Sequence, residues 1–79
     1  MDQTTKEKIF SILQNTTGVD PLSLQWEKPI RDQIDLDSMQ FMAIVSKLEN
    51  DLGIELPLSV MEAETMSQFM DELDKELGK

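Results

Sequence analysis

Residues 36–57 read LDSMQFMAIVSKLENDLGIELP and contain a complete signal for one helix. Asp37 is a strong N-cap residue, and Gln40, three positions later, completes a capping box in which each side chain accepts a backbone N–H of the helix start. The helix is therefore predicted to begin at Ser38. Gly53 stands where a left-handed residue ends a helix, so it marks the other boundary.

The helix that begins at Ser38 has two apolar faces rather than one. At 100° per residue, one arc collects the residues that we expect in the core, which are Phe41, Ile44, Val45, Leu48 and Leu52. Met39 and Met42 lie largely on the opposite arc, where a solvated face normally carries charge. Because methionine adapts to irregular partner surfaces, this second face predicts a docking site, although single exposed apolar residues also occur without one.

The sequence on either side of this segment predicts two further helices. Thr4 and Glu7 fit a capping box at the start of a first helix that Gly18 ends. Thr65 and Gln68 fit a second capping box at the start of the last helix. The core-facing stripe of the last helix consists of Met66, Phe69, Met70, Leu73 and Leu77. Spacings of three and four residues in that stripe are typical of an amphipathic helix.

The connections complete the predicted fold. Residues 17–37 contain Pro21 and Pro29 without a clean period, so we predict a long ordered loop that apolar side chains hold in place. Residues 59–64 predict a short third helix. The fold class is therefore all-α: a small four-helix bundle, with three main helices, a short third helix and a long loop between helices 1 and 2. Residues 1–79 are expected to form one domain.

The composition excludes several classes of function. The net charge of −9, from 16 acidic and 7 basic residues, argues against nucleic acid and against stable association with an anionic membrane, and it favours partners with basic surfaces. The chain has no Cys, His or Tyr, so it supplies neither a thiolate zinc site nor a Ser–His–Asp or Cys–His catalytic site. No stretch resembles a signal peptide or a span of ~20 apolar residues. We expect a cytoplasmic protein and a monomer.

These exclusions do not decide what the hydroxyl of Ser38 does, so its possible roles are considered next. A phosphate on its hydroxyl would lie at the positive end of the helix dipole, worth ~0.3–1 kcal/mol, while Asp35 and Asp37 would oppose it. Lys47 lies ~13 Å further along the helix axis, too far for a Ser–Lys pair. A calcium loop that starts at Asp35 lacks the glycine and the final glutamate of an EF-hand. Most serines at such a position have no role beyond starting the helix.

Residues 36–57, preceded by a long loop, resemble the acyl carrier protein family. The family signature Asp–Ser–Leu opens its second helix, and here it reads Asp37–Ser38–Met39. The likeness covers nearly the whole chain, including the closing TMSQFMDEL segment at residues 65–73. It implies that a separate, magnesium-dependent phosphopantetheinyl transferase attaches 4′-phosphopantetheine from coenzyme A to Ser38, and that the thiol of this arm holds an acyl group as a thioester.

The resemblance also implies roles for other residues. The protein would be a non-catalytic carrier whose second helix docks onto basic surfaces of acyl-transferring and acyl-modifying enzymes, and Asp37 would be the signature acid as well as the N-cap. The partner-binding candidates are Asp35, Met39, Met42, Glu49 and Asp51. The candidates for a cleft that shelters the acyl chain are Phe41, Ile44, Val45, Ile54, Met61, Phe69 and Leu73.

Several positions depart from the family pattern. Met39 stands in place of the usual Leu, and Gln40 and Ala43 stand where fatty-acid carriers often have acids. Lys47 adds a positive charge to the same helix. This pattern favours a specialised acyl pathway over general fatty-acid biosynthesis. Two alternatives stay open: a carrier of aminoacyl or peptidyl groups that uses Ser38 in the same way, and an unmodified helical adaptor that docks through the Met39 face.

Overall fold

Three α-helices form the framework of the computed structural model, which describes residues 1–78. They are α1, Gln3–Thr17; α2, Ser38–Leu52; and α3, Met66–Leu77. Three short 3₁₀ helices lie between them, at Pro21–Ser23, Ile30–Asp32 and Leu58–Glu62. Residues 1–78 contain no β-strand, only one isolated antiparallel bridge between Pro29 and Thr65. The all-α prediction is confirmed for this part of the chain.

The core lies between the inward faces of the three helices. Its buried apolar residues are Ile9, Ile12, Leu13, Ile30, Leu36, Phe41, Ile44, Leu48, Val60, Met66, Phe69, Met70 and Leu73. Phe41 of α2 and Phe69 of α3 meet edge to face, with ring centroids 5.7 Å apart. Of the predicted core arc of α2, Val45 and Leu52 are only partly buried and pack at the margin of this cluster. The helical period therefore located the core face of α2 correctly.

The starts of α2 and α3 are the capping boxes that the sequence predicts. Asp37 accepts the N–H of Gln40 at 2.7 Å, and the side chain of Gln40 accepts the N–H of Asp37 in return. Thr65 and Gln68 make the same reciprocal bonds at the start of α3. Each box satisfies donors that a helix start otherwise leaves without a partner.

The start of α1 differs from the prediction. Asp2 is the N-cap, and its carboxylate accepts the N–H of Thr5 at 2.7 Å. Thr4 lies inside the helix, so the predicted Thr4–Glu7 capping box is wrong. Asp2, two residues before Thr4, caps the helix instead. Asp and Thr are both favourable N-cap residues, and the backbone at Asp2 has the extended conformation that an N-cap requires.

Two left-handed glycines end α1 and α2. Gly18 has φ 77° and Gly53 has φ 67°, a region that costs other residues a steric penalty. The N–H groups of Gly53 and Ile54 both donate to the carbonyl of Glu49, at 2.9 and 3.2 Å. These bonds reverse the chain immediately after α2 and bring residues 56–61 back beside it.

The segment between α1 and α2 has more structure than a plain loop. The amide of Gln33 donates to the carbonyl of Gln25 at 2.8 Å and accepts the N–H of Gln25 at 2.7 Å. The N–H of Ile30 donates to the carbonyl of Glu64 at 2.8 Å, which ties this segment to the start of α3. These bonds fix the chain that leads into Ser38.

The short helix predicted over residues 59–64 is a 3₁₀ helix, Leu58–Glu62. The described chain therefore has three α-helices. The fourth element of the predicted bundle is a 3₁₀ helix of five residues, which is less than two turns. Pro57 at its N-cap and the extended Ala63 at its end leave too few residues for the i→i+4 bonds of an α-helix. No helix within residues 1–78 has both the length and the apolar composition that crossing a bilayer requires.

Candidate functional site

Ser38 is the first residue of α2, and its side chain is exposed. The capping box directs the carboxylate of Asp37 to the N–H of Gln40, and the first intrahelical bond runs from Phe41 N–H to the carbonyl of Asp37 at 3.0 Å. The N–H groups of Ser38 and Met39 have no acceptor within residues 1–78. An anionic group on the Ser38 oxygen would therefore lie beside two open donors and the positive end of the α2 dipole.

The Ser38 hydroxyl makes no hydrogen bond to the described part of the chain. No carboxylate or amine therefore holds its proton, and the chain has no His to do so. A serine hydroxyl is a weak nucleophile unless an adjacent base activates it. Ser38 is thus accessible to chemistry that another protein performs, and it is not equipped to perform that chemistry itself.

The face of α2 beyond Ser38 is apolar and open to solvent. Met39 is 81% exposed and Met42 is 58% exposed, as the second apolar arc predicted. Leu58, which the sequence analysis missed, is 82% exposed on the neighbouring 3₁₀ helix. A groove of about 280 Å³ separates the two elements, lined by Met42, Val45, Ser46, Glu49, Leu56, Pro57, Leu58 and Met61. Five residues of 3₁₀ helix carry no periodic signal from which the exposure of Leu58 follows.

The four acidic candidates lie in different surroundings. Asp35 and Asp37 are exposed immediately before Ser38. Glu49 is partly buried, and its carboxylate accepts the N–H of Leu56 at 2.9 Å, so it holds the chain reversal after α2. Asp51 pairs with Lys47 at 3.9 Å, and both line a groove against α1. The structure therefore brings only the first two acids to the neighbourhood of Ser38.

Five of the seven predicted cleft residues line at least one of three spaces, and two line none of them. Phe41, Ile44 and Phe69 line a narrow apolar pocket of about 20 Å³ that is partly open to the surface. Phe41 also lines an open cleft of about 390 Å³, together with Met61 and the charged side chains of Arg31, Glu62 and Glu64. Val45 and Met61 line the groove that Leu58 bounds. Leu73 is fully buried in the core, and Ile54 is half-exposed after the end of α2; neither lines any of these three spaces.

The narrow pocket is too small for a chain of methylene groups. A volume of about 20 Å³ holds roughly one water-sized probe. An acyl chain enters it only if core side chains such as Phe41 and Phe69 move apart. Residues 1–78 contain no cluster of three or more carboxylate, His or Cys side chains arranged to hold a metal ion.

Known proteins match this chain over most of its length. A family model described as a phosphopantetheine attachment site matches residues 7–73. The acyl carrier protein of Tropheryma whipplei (strain Twist) is 38% identical over 66 residues, which cover 82% of this chain and 80% of that protein. The acyl carrier protein of Micrococcus luteus is 32% identical over 75 residues, covering 89% and 93%.

A relative with a different cargo in its name is similarly close. The D-alanyl carrier protein 2 of Lactiplantibacillus plantarum is 40% identical over 57 residues, covering 72% of this chain and 70% of that protein. No solved structure gives a significant match. The matched span contains α2 with Ser38 at its first position, and it extends from within α1 to within α3.

Proposed function

The chain belongs to the acyl carrier protein family, whose domains bear a phosphopantetheine attachment site, and from this premise we propose that Ser38 carries the arm. Members of this family are non-catalytic carriers, and the lack of an activating base beside Ser38 agrees with that role. The observation that carries the proposal is the exposed Ser38 hydroxyl at the first position of α2 inside the matched span, where the described part of the chain gives it no hydrogen bond.

The residues around Ser38 fit a phosphodiester there. Its own N–H and that of Met39 are open donors, and together with the α2 dipole they favour a negative charge by ~0.3–1 kcal/mol. Asp35 and Asp37 oppose that charge, but both are exposed and water screens them. When attached, the group supplies the thiol that this cysteine-free chain lacks, and cargo is held on it as a thioester.

The protein surface supplies recognition. Met39 and Met42 offer exposed apolar contact beside Ser38, and Asp35 and Asp37 offer negative charge to the basic surface of an approaching enzyme. Opposite charges accelerate encounter, while apolar burial gives affinity. We propose that a phosphopantetheinyl transferase and the enzymes that load, modify and unload the cargo use this end of α2.

The proposed cargo is an acyl intermediate of fatty-acid or a related specialised pathway. The pocket bordered by Phe41, Ile44 and Phe69 is the proposed shelter for an acyl chain, and it has room for the chain only when the core expands. A second candidate is an aminoacyl cargo. The similarity to a D-alanyl carrier protein favours it, and so does the small volume of the apolar pocket, since a short polar group needs no apolar shelter.

Intact mass measurement tests the attachment site. The protein is incubated with coenzyme A, magnesium and a broad-specificity phosphopantetheinyl transferase. We expect the wild type and Ser67→Ala to gain one prosthetic group and Ser38→Ala to gain none. Ser67 is the matched control because it lies in the first turn of α3, behind the same kind of capping box. A gain in mass by Ser38→Ala refutes the assignment, and no gain by the wild type refutes the carrier function.

A second measurement separates the two cargo classes. Mass spectrometry of carrier isolated from its native host reports what the arm holds. A fatty acyl group supports the first candidate, and an amino acid supports the second. Carrier that is never modified in the host leaves only the adaptor alternative.

A further inference from the structure

We propose that the aromatic pair Phe41–Phe69 opposes the expansion of the core that a long acyl chain requires, and that the pair thereby limits the carrier to cargo short enough to stay outside the core. This inference rests on the proposed function, because it concerns the group that an arm on Ser38 holds. It narrows that function by the size of the cargo, to short acyl or aminoacyl groups.

Two spaces share one wall close to Ser38. The open cleft of about 390 Å³ and the narrow apolar pocket of about 20 Å³ have three lining residues in common, which are Ile30, Leu36 and Phe41. Phe41 lies three residues after Ser38, or ~4.5 Å further along the axis, so the two residues are neighbours on α2. Cargo that moves from the cleft into the pocket therefore has to displace part of this wall.

Contacts from two directions hold the wall in place. The N–H of Ile30 donates to the carbonyl of Glu64 at 2.8 Å, which fixes the part of the wall that comes from the α1–α2 connection. The ring of Phe41 is only 4% exposed and meets the buried ring of Phe69 at 84°, with the centroids 5.7 Å apart. Edge-to-face aromatic pairs at this separation attract each other beyond the burial of their area. Displacement of Phe41 therefore costs the aromatic contact as well as buried surface.

Neither space suits a long apolar chain. The pocket holds roughly one water-sized probe, so a chain has room only where the ring of Phe41 or Phe69 now lies. The cleft is open to solvent, and its lining includes the charged side chains of Arg31, Glu62 and Glu64. A long chain in the cleft would keep apolar surface in water and would take hydration from these charges without replacing it. A short acyl or aminoacyl group has little apolar surface to bury, so it loses little by staying in the cleft.

A second aromatic pair provides a matched control. Phe10 and Trp26 also meet edge to face, with ring centroids 6.0 Å apart. Both line a separate groove beside α1 and α3, and neither lines the pocket or the cleft. Truncation of Phe10 therefore removes a ring of the same size from a similar pair without enlarging the pocket.

The melting temperature of the loaded carrier tests the proposal. A broad-specificity phosphopantetheinyl transferase with magnesium loads the full chain from acetyl-coenzyme A or from octanoyl-coenzyme A, and intact mass confirms the loading. In the wild type and in Phe10→Ala, we expect the two loaded forms to melt within about 1 °C of each other, because the chain finds no apolar site to fill. In Phe41→Ala, the octanoyl form is expected to melt at least about 5 °C above the acetyl form, because the chain refills the volume that the ring occupied. Comparing two loaded forms of the same variant cancels the stability that the substitution itself removes.

A milder variant keeps the test decisive if Phe41→Ala does not fold. Phe41→Val leaves a smaller apolar side chain in the wall, and its octanoyl form should show a smaller shift of the same sign. A shift as large in the wild type as in the Phe41 variants overturns the inference, because the chain then enters with both rings in place. Equal melting temperatures for the two loaded forms of the Phe41 variants also overturn it, since something other than the pair then keeps the chain out. Both outcomes leave the carrier loaded and the proposed function intact, whereas a wild type that accepts no arm refutes the function itself.

Discussion

Helices α2 and α3 begin with the same kind of capping box, but the first residue of one is exposed and that of the other is buried. Asp37 with Gln40 and Thr65 with Gln68 form equivalent capping boxes. The first residue of α3, Met66, is only 2% exposed. The first residue of α2 is Ser38, whose exposed hydroxyl makes no hydrogen bond within residues 1–78. The first residue of α3 is therefore packed in the core, whereas the first residue of α2 is exposed to solvent.

The second position shows the same contrast. At α3, Ser67 donates its hydroxyl to the carboxylate of Glu27 and its N–H to the carbonyl of Trp26 at 3.2 Å, so the α1–α2 connection covers this helix start. At α2, Met39 is 81% exposed and its N–H has no acceptor within residues 1–78. The cap therefore fixes where a helix begins, while the tertiary contacts decide whether its open donors remain available for function.

The largest expected effect compares the two first residues directly. Met66→Ala should lower the free energy of unfolding by about 2–5 kcal/mol, since it removes a buried side chain from a small core. Ser38→Ala should change it by less than about 0.5 kcal/mol, because the hydroxyl is exposed and unbonded. Urea unfolding followed by circular dichroism measures both. Equal losses would show that Ser38 is part of the packed structure and that the contrast is false.

The next effect concerns the open face. Met42→Glu should slow phosphopantetheinyl transfer to Ser38 about tenfold, which corresponds to about 1.4 kcal/mol of lost contact. Its helix content should match that of the wild type, since Met42 is 58% exposed. Asp71→Asn on the exposed face of α3 is the control and should leave the transfer rate unchanged. Unfolding of Met42→Glu would instead place that side chain in the core.

The sequence predicts more of these two helices than of the segments around them. Local signals define α2 and α3, because a capping box spans three residues and an apolar stripe spans a few turns. The bond from Ile30 N–H to the carbonyl of Glu64 joins residues far apart in sequence, and no local pattern indicates it. Leu58 is outside any periodic segment, so its exposure follows only from the tertiary arrangement.

The candidate site divides in the same way. Ser38 and the Met39 face follow from an N-cap signal and from helical geometry, both of which are local. The bond between Glu49 and Leu56 depends on how the chain reverses after Gly53, and so does the position of Ile54 outside the lining of the three spaces. Periodicity assigns a residue to a face of its own helix, but it does not show which neighbouring segment covers that face.

The capping boxes themselves give a smaller effect. Asp37→Ala and Thr65→Ala should each lower the free energy of unfolding by about 1 kcal/mol, because each leaves a first-turn N–H without its acceptor. Asp37→Asn keeps the cap and removes a charge next to Asp35, so its stability should equal that of the wild type or exceed it slightly. Thermal unfolding at neutral pH measures all three. A large loss in Asp37→Asn would mean that the charge, and not the hydrogen bond, holds the start of α2.

The smallest effect is the pH dependence of the third cap, Asp2. The hydrogen bond from the N–H of Thr5 lowers the pKa of this exposed carboxyl below its usual value of 3.8. A carboxyl with a depressed folded-state pKa stabilises the fold above its unfolded pKa, and the contribution is lost as pH falls through the folded value. Asp2→Asn keeps a capping oxygen that does not titrate. The difference in melting temperature between wild type and Asp2→Asn should therefore change below about pH 4 and be constant above it. A difference that does not vary with pH would show that the bond to Thr5 does not depend on the charge of Asp2, so that α1 begins by hydrogen-bond geometry alone.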